Sequence, residues 1–265
     1  MPNTYNREMK SMKILDQWYA HVEQGRKSLA VLIDPDKVED TSRLTPLIRL
    51  ASENCVDYLF VGGSLMTTTN LSEVIRFIKS QVSIPVVLFP GNSLQLDAQA
   101  DAILFLSLIS GRNPDLLIGQ HVAAAPIIRN SRLEVLPTGY LLINSGKITS
   151  AAYISNTMPI PEDKYSLAAC TAMAGEMLGL KLIYLDAGSG AEREISAKMV
   201  SAVRQAVKVP LIVGGGINTA AKATKALEAG ADMIVVGNAL EKNPELLIEI
   251  SDKVYEWNQS LQPRK

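Results

Sequence analysis

The sequence predicts a TIM (β/α)8 barrel in which the third helix is reduced or missing. Eight short apolar runs recur along the chain, helical patterns separate most of them, and glycine-rich turns follow the last two. The 265 residues suit one barrel domain, which typically needs about 250 residues, so we expect one domain over residues 1–265. An open doubly wound sheet is the alternative, because strand count alone does not prove closure.

The apolar runs predict the strands. They do not alternate with polar residues, which is typical of parallel strands that are covered on both faces. They comprise residues 29–33, 58–61, 86–89, 103–109, 140–143, 182–185, 211–213 and 233–236.

Helical periodicity fills most intervals between the runs. Ile195, Met199 and Val203 share one face of a predicted helix, and another helix is predicted from an N-cap at Asn218 to a stop at Gly230. The segment before the first run, which includes Trp18 and Tyr19, should form an additional N-terminal helix. After Gly91, only about ten residues remain before the fourth strand, which is short for a full crossover helix.

Composition limits the classes of function. The formal net charge of -1 gives no electrostatic reason to expect nucleic acid or a polybasic membrane contact. No apolar run approaches the roughly 20 residues of a transmembrane helix, and no signal peptide is visible, so we expect a cytoplasmic protein. Cys55 and Cys170 are expected to be reduced core thiols. His21 and His121 fall in helical patterns and are not expected to be catalytic.

Glycines predict a phosphate site at the carboxyl ends of the last strands. Gly214, Gly215 and Gly216 follow the seventh run, and Gly237 with Asn238 follows the eighth. One glycine triplet also fits a tight turn, but two such turns on adjacent barrel strands indicate a cradle whose N–H groups bind an anion.

A third loop adjoins that cradle. Gly188, Ser189 and Gly190 follow the sixth run, which ends with Tyr184 and Asp186 on one face. Asp186 could cap the following turn, or it could orient or deprotonate a hydroxyl of a phosphorylated substrate.

The first two runs predict a metal site. Asp34 and Asp36 follow the first run, and Ser64 follows the second. Mg²⁺ takes few protein oxygens and completes its shell with phosphate oxygens and water, which suits Asp34 with Ser64. A structural capping role for the two acids is the alternative. No His/Cys cluster suits zinc.

Several motifs together resemble the geranylgeranylglyceryl phosphate synthase family, from about residue 29 to residue 243. The resemblance is to the longer, second group, which includes bacterial members, rather than to the bacterial heptaprenylglyceryl phosphate synthases. The motifs are LIDPDK (32–37), VGGS (61–64), FPGN (89–92), SLISGRNP (107–114), GYLLIN (139–144), YLDAGSG (184–190), VGGGI (213–217) and VGN (236–238).

The resemblance implies a barrel with one helix missing and Mg²⁺-dependent transfer of a prenyl group. The donor would be geranylgeranyl diphosphate, a C20 compound, and the acceptor the 3-hydroxyl of sn-glycerol 1-phosphate. It also implies a homo-oligomer, magnesium ligands at Asp34 and Ser64, and catalysis by Asp186 with Tyr184, although the family often carries Glu at position 186. The implied residues around glycerol phosphate are Tyr184, Leu185, Asp186, Ala187, Gly188, Ser189, Gly190, Gly215, Gly216, Gly237 and Asn238.

Other activities share this phosphate cradle. A heptaprenylglyceryl phosphate synthase would use the same mechanism with a longer donor. A phosphosugar isomerase or cyclase would not require the Asp34–Ser64 pair, and a non-catalytic phosphate-metabolite sensor would not require Asp186. A Schiff-base aldolase is disfavoured because Lys181 lies at the start of its strand and Lys37 beyond the end of another.

Overall fold

The structure is a computed structural model that describes residues 12–261. Eight parallel strands close into a barrel in chain order, with β1 paired to both β2 and β8. The barrel is confirmed, and the open sheet is excluded. The strands are β1 (Ser28–Ile33), β2 (Tyr58–Val61), β3 (Val86–Leu88), β4 (Ala102–Ser107), β5 (Glu134–Leu142), β6 (Leu182–Asp186), β7 (Leu211–Gly214) and β8 (Met233–Val236).

Helices surround the barrel, and one more precedes it. They are α1 (Ile14–Glu23), α2 (Thr45–Glu53), α3 (Leu71–Gln81), α4 (Gln120–Asn130), α5 (Ser150–Ser155), α6 (Tyr165–Met177), α7 (Ala197–Ala206), α8 (Ala220–Glu228), α9 (Asn238–Lys242) and α10 (Leu246–Ser260). Short 3₁₀ turns at Pro35–Lys37 and Thr41–Leu44, and a π-helical turn at Asp115–Gly119, complete the regular structure.

No helix lies between β3 and β4, so the predicted loss of the third helix is confirmed. The chain crosses this interval in turns that carry two buried polar side chains, Gln95 and Asp97. Asp97 accepts hydrogen bonds from the Ser72 hydroxyl in α3 and from the Gln99 N–H. The outer ring of helices is therefore open beside β4.

The N-terminal end of the barrel is closed by α1. The Trp18 ring packs against Tyr58 at 5.2 Å between centroids, inside the ring of strands. The Glu134 carboxylate accepts from the N–H groups of Ile14 and Leu15 at 2.7 and 2.9 Å, which satisfies the free amides at the start of α1. The predicted helix with Trp18 is thus present, whereas residues 1–11 lie outside the described part.

Several strand ends differ from the sequence predictions by one residue, two strand ends differ by more, and one helix cap differs. β5 begins at Glu134 rather than residue 140. Its first residues are polar or partly exposed, so they did not form part of the apolar run. β4 ends at Ser107 rather than at residue 109. The N-cap of α8 is Thr219, whose hydroxyl accepts from the Lys222 N–H at 3.2 Å, so Asn218 was wrong. Gly230 does stop that helix, with a φ of 110°.

The prediction of buried thiols was also wrong. Cys55 and Cys170 are both free and exposed. Cys55 lies in the turn after α2 with a φ of 54°, and Cys170 lies on the outward face of α6. Apolar neighbours in sequence do not decide which face of a helix is buried. Across residues 12–261, no helix has the length and apolar character needed to span a membrane. The cytoplasmic location stays a prediction.

Candidate active site

A cavity of about 890 Å³ opens at the carboxyl ends of the barrel strands. Its wall includes Asp34 and Ser64 after β1 and β2, Asp186 at the end of β6, and Gly216 and Asn238 after β7 and β8. The two sites predicted from separate motifs are therefore halves of one cavity. This is the end of a barrel at which strand-end loops build active sites.

The cradle has the backbone conformation that the glycines allow. Gly188, Gly190, Gly215 and Gly216 have φ between 70° and 86°, in the left-handed region. A Cβ on Gly215 would lie 2.7 Å from Asp186 Oδ1, and a Cβ on Gly216 would lie 2.7 Å from a backbone oxygen. Glycine is therefore required at both positions.

The remaining predicted cradle residues divide between the cavity and the core. Ser189 and Asn238 line the cavity and contact each other, with 3.0 Å between Ser189 Oγ and Asn238 Nδ2, and Gly237 lies beside them. The side chains of Leu185 and Ala187 instead pack outward in the core beneath the helices. The Ala187 N–H donates to the Gly214 carbonyl at 3.1 Å, so it is already used within the barrel.

Asp186 is a buried carboxylate at the end of β6, next to the glycine cradle. Its Oδ1 accepts from the Gly188 N–H at 2.8 Å, and its Oδ2 accepts a short hydrogen bond from the Tyr140 hydroxyl. Burial raises the pKa of Asp186, and the hydrogen bonds from Tyr140 and Gly188 oppose that rise. A carboxylate with this balance remains a proton acceptor and is more basic than an exposed aspartate.

Two tyrosines surround this carboxylate. Burial, reinforced by the Asp186 charge, raises the pKa of both Tyr140 and Tyr184 well above the usual value. Both phenols therefore stay protonated. Tyr184 stacks on Phe89 at 5.2 Å, and its ring is 5.5 Å from that of Tyr140, which fixes the orientation of both rings.

Asp34 faces the cavity after β1, the strand that pairs with β8. Its Oδ1 accepts from the Asp36 N–H at 3.2 Å, and its Oδ2 lies 3.6 Å from Lys37 Nζ. Burial raises the pKa of Asp34, and the Lys37 charge opposes the rise. Ser64 lies in the neighbouring loop, whose Gly63 comes so close that a Cβ there would stand 3.1 Å from Asp34 Oδ1.

Asp36 has the structural role that the sequence left open. Its carboxylate accepts from the backbone N–H groups of Thr67 and Thr68, at 2.7 and 3.1 Å, and also from both of their hydroxyls. These bonds tie the loop after β2 to the turn after β1. Asp36 is therefore a loop anchor, and Asp34 is the acid available to a ligand.

The donor set fits magnesium better than a transition metal. Between residues 12 and 261, no three His, Cys, Asp or Glu side chains are grouped closely enough to hold a metal ion by themselves. Asp34 and Ser64 offer hard oxygen donors on one wall of the cavity, and Mg²⁺ commonly takes its other ligands from phosphate and water. Zinc sites instead need three or four His, Cys or carboxylate ligands close together.

Two functional residues were missed by the sequence reasoning. Lys37 Nζ donates to Asn238 at 3.1 Å and to Glu241 at 2.9 Å, and so connects the metal side to the cradle. Tyr140 was predicted only as part of a strand, yet it pairs in register with Tyr184 on the next strand. Tyr140 and Tyr184 both face into the barrel from adjacent strands, and this alternation was a signal for Tyr140 in the sequence. No spacing pattern pointed to Lys37.

An apolar branch of the cavity runs from the barrel mouth into the gap left by the missing helix. Leu96 comes from the connecting segment, Phe105 from the outer face of β4, and Ala124 and Ile128 from α4. His121 also lines it, with its ring edge-to-face to Phe105 at 4.5 Å. Burial lowers the pKa of His121, which keeps the imidazole neutral. These side chains make this part of the cavity apolar.

Comparisons with known proteins agree with this architecture. The model of the PcrB family matches residues 22–255. A geranylgeranylglyceryl phosphate synthase of Spirosoma linguale is 60% identical over 237 residues, which cover 89% of this chain and 95% of that protein. The Pyrococcus furiosus protein of the same name is 41% identical, covering 84% and 88% of the two chains.

A solved structure is also similar. It is that of (S)-3-O-geranylgeranylglyceryl phosphate synthase from Thermoplasma acidophilum in complex with its substrate sn-glycerol-1-phosphate. It superposes with a TM-score of 0.87 at 31% identity and covers 92% of this chain and 99% of that one. Sequence and structure therefore lead to one assignment: this chain belongs to the PcrB family.

Proposed function

We propose that this protein is a geranylgeranylglyceryl phosphate synthase. It transfers the prenyl group of geranylgeranyl diphosphate to the 3-hydroxyl of sn-glycerol 1-phosphate and releases diphosphate. The observation that carries the proposal is the position of Asp186, a buried carboxylate between a glycine cradle for a phosphate and a cavity branch for a hydrocarbon.

The acceptor is held by the cradle. Backbone N–H groups around Gly188, Gly190 and Gly216 bind its phosphate, and Asn238 closes that end of the cavity. A fixed phosphate places the 3-hydroxyl within reach of Asp186. Attack on the prenyl carbon is then effectively intramolecular.

The chemistry forms one bond and breaks another. The hydroxyl oxygen bonds to the first carbon of the prenyl chain while the bond from that carbon to the diphosphate oxygen breaks. Asp186 takes the hydroxyl proton, and Tyr140 holds the carboxylate in the orientation that receives it. Tyr184 and Phe89 pack as a stacked pair in the cavity wall, which limits the access of water to the reacting carbon.

Asp34 and Ser64 are the residues that would hold magnesium. When bound, the ion neutralises negative charge on the leaving diphosphate. Lys37 lies beside Asp34 and adds a positive charge on the same side of the cavity. These roles of Asp34, Ser64 and Lys37 rest on the position and chemistry of their side chains.

The prenyl chain would occupy the apolar branch, and a C20 chain is the expected length. The first experiment supplies radiolabelled sn-glycerol 1-phosphate with C15, C20 or C35 prenyl diphosphate, in magnesium or in EDTA. A magnesium-dependent ether product favouring C20 supports the proposal. A preference for C35 would mean a heptaprenylglyceryl phosphate synthase. Binding of glycerol phosphate without any product would favour an isomerase, a cyclase or a sensor.

Asp186→Asn tests the base without changing the shape of the side chain. Loss of a general base typically lowers turnover about 100-fold to 10,000-fold, and we expect glycerol phosphate still to bind. Normal turnover in this variant would contradict the role of Asp186.

We also propose a homo-oligomer that uses α6. This helix buries Ala168, Ala172 and Gly175 against the barrel, yet Leu167 and Met177 are 48% and 78% exposed on its outer side. An outer surface this apolar is unusual for a monomer. Ala174→Lys on the exposed face should lower the mass measured by light scattering, whereas Gln205→Lys on the polar surface of α7 should not. Equal masses for both variants and the wild type would contradict the interface.

A further inference from the structure

The segment that replaces the third helix carries a buried amide with no part in the chemistry described above. Gln95 is only 3% exposed, although it lies in a connection without regular structure. A buried primary amide is costly unless its donors and acceptor find partners. The contacts of Gln95 therefore show what this segment holds together.

Gln95 joins two loops of the cavity wall. Its Oε1 accepts from the Gly91 N–H at 3.0 Å, in the loop after β3. Its Nε2 donates to the Gly63 carbonyl at 3.0 Å, in the loop after β2. The Gly63 carbonyl belongs to the peptide that leads into Ser64, so this bond fixes the orientation of that peptide.

The two loops touch backbone to backbone. A Cβ on Gly91 would stand 2.5 Å from the Gly63 oxygen and 2.6 Å from the Ser64 oxygen. Glycine at position 91 thus allows the approach, and the Gln95 amide holds it by bonding to both sides. Gly63 in turn lies against Asp34, which places the bridge next to the proposed magnesium ligands.

We propose that Gln95 is a positioning residue for the magnesium–diphosphate half of the site. It acts through the Gly63–Ser64 peptide, whose orientation sets where Ser64 lies relative to Asp34. The inference rests on the proposed function, because it assigns a purpose to the Asp34–Ser64 pair. The next residue, Leu96, lines the apolar branch, so one short segment shapes both the metal side and the hydrocarbon channel.

The same segment provides its own control. Asp97 anchors it to α3 through the Ser72 hydroxyl, and neither Ser72 nor Asp97 lines the cavity. Ser72→Ala therefore loosens the segment without removing either bond of Gln95. Gln95→Met removes both bonds at nearly constant volume. Comparing the two variants shows whether an effect comes from the loss of the two Gln95 bonds or from a general loosening of the segment.

The first measurement is the affinity for Mn²⁺, a spectroscopic substitute for Mg²⁺, by electron paramagnetic resonance with inorganic diphosphate present. Residues that orient metal ligands typically contribute about tenfold to 100-fold in affinity, and we expect that loss in Gln95→Met. The KM for the prenyl diphosphate should rise with it. The KM for glycerol phosphate should stay unchanged, because the bonds of Gln95 go to the loops after β2 and β3, whereas the cradle follows β6, β7 and β8. Ser72→Ala should match the wild type in all three.

Wild-type Mn²⁺ affinity and donor KM in Gln95→Met would overturn the proposal, as would an equal loss in Ser72→Ala. If Gln95→Met does not fold, Gln95→Glu tests the same point, because it keeps an acceptor for Gly91 but turns an oxygen toward the Gly63 carbonyl. The same selective loss is expected there. A wild-type protein that transfers no prenyl group would refute the proposed function, and the Mn²⁺ measurement would still decide whether Gln95 positions a metal site.

Discussion

At the scale of single residues, the hydrogen bond from Tyr140 to Asp186 should set the lower pH limit of activity. Asp186 must be ionised to accept a proton, so activity falls as the pH drops through its pKa, which burial raises. Tyr140→Phe removes a hydrogen bond that stabilises the ionised form. Loss of that bond should therefore raise the pKa of Asp186 further.

The pH dependence of kcat/KM checks this expectation. The acid limb of Tyr140→Phe should lie at higher pH than that of the wild type. Tyr184→Phe is the matched control, because Tyr184 makes no hydrogen bond to Asp186 among the described contacts. The acid limb of Tyr184→Phe should lie at the same pH as that of the wild type. Superimposable limbs for Tyr140→Phe and the wild type would show that the bond does not tune the base.

At the scale of an element, the turn after β7 combines unusual backbone with close packing. Gly215 has a φ of 79°, and a Cβ there would lie 2.7 Å from Asp186 Oδ1. Gly179 has a φ of 93° but open space around its Cβ position. Alanine at Gly179 should therefore cost only the left-handed strain, about 1–2 kcal/mol. Gly215→Ala adds a clash that moves Asp186.

The two alanine variants separate strain from clash. In Gly215→Ala we expect a larger loss of unfolding free energy and a fall in kcat/KM of about 100-fold, as for a catalytic group displaced by an ångström. Gly179→Ala should keep its kcat/KM. Urea denaturation and steady-state kinetics on both variants give the comparison. Full activity in Gly215→Ala would mean that the turn relaxes away from the carboxylate.

Sequence patterns captured the elements better than the contacts between them. The buried parallel strands and the short interval after Gly91 could be predicted from the sequence, because each depends on local composition and length. Tyr140 and Lys37 were missed as functional residues, because their roles depend on neighbours 46 and 201 residues away in the chain. Cys170 was mistaken for core, because the outer surface of α6 is as apolar as its buried one, and Cys55 was mistaken for core although it lies in the turn after α2.

At the scale of the whole molecule, the end of the barrel opposite the active site should control acid stability. His21 in α1 is buried, with its Nε2 2.8 Å from Arg26 and its Nδ1 3.1 Å from the Ser28 hydroxyl. Arg26 also pairs with Asp57 at 2.5 Å, ahead of β2. The arginine donates to Nε2, so Nδ1 carries the imidazole proton. This network fixes α1 to the barrel and requires a neutral ring.

The stability of the fold should therefore fall in mild acid. Burial, with the Arg26 charge, lowers the pKa of His21 to about 4, whereas an unfolded chain has a histidine pKa of about 6.5. Above pH 6.5 both states are neutral and the stabilisation is complete. Between pH 6.5 and 4 the unfolded state binds the proton more tightly, which removes about 2 kcal/mol of unfolding free energy by pH 5.

Urea denaturation at pH 7.5 and pH 5.0, at fixed protein concentration, measures this loss. His21→Gln keeps an acceptor for Arg26 but does not titrate, so its unfolding free energy should change less between the two pH values than that of the wild type. Burial raises the pKa of Asp57, which stabilises the fold as the pH falls and acts in both proteins alike. An equal pH dependence in variant and wild type would place the acid sensitivity elsewhere. A smaller pH dependence of the unfolding free energy in His21→Gln would show that a neutral histidine helps to fix α1 to the barrel.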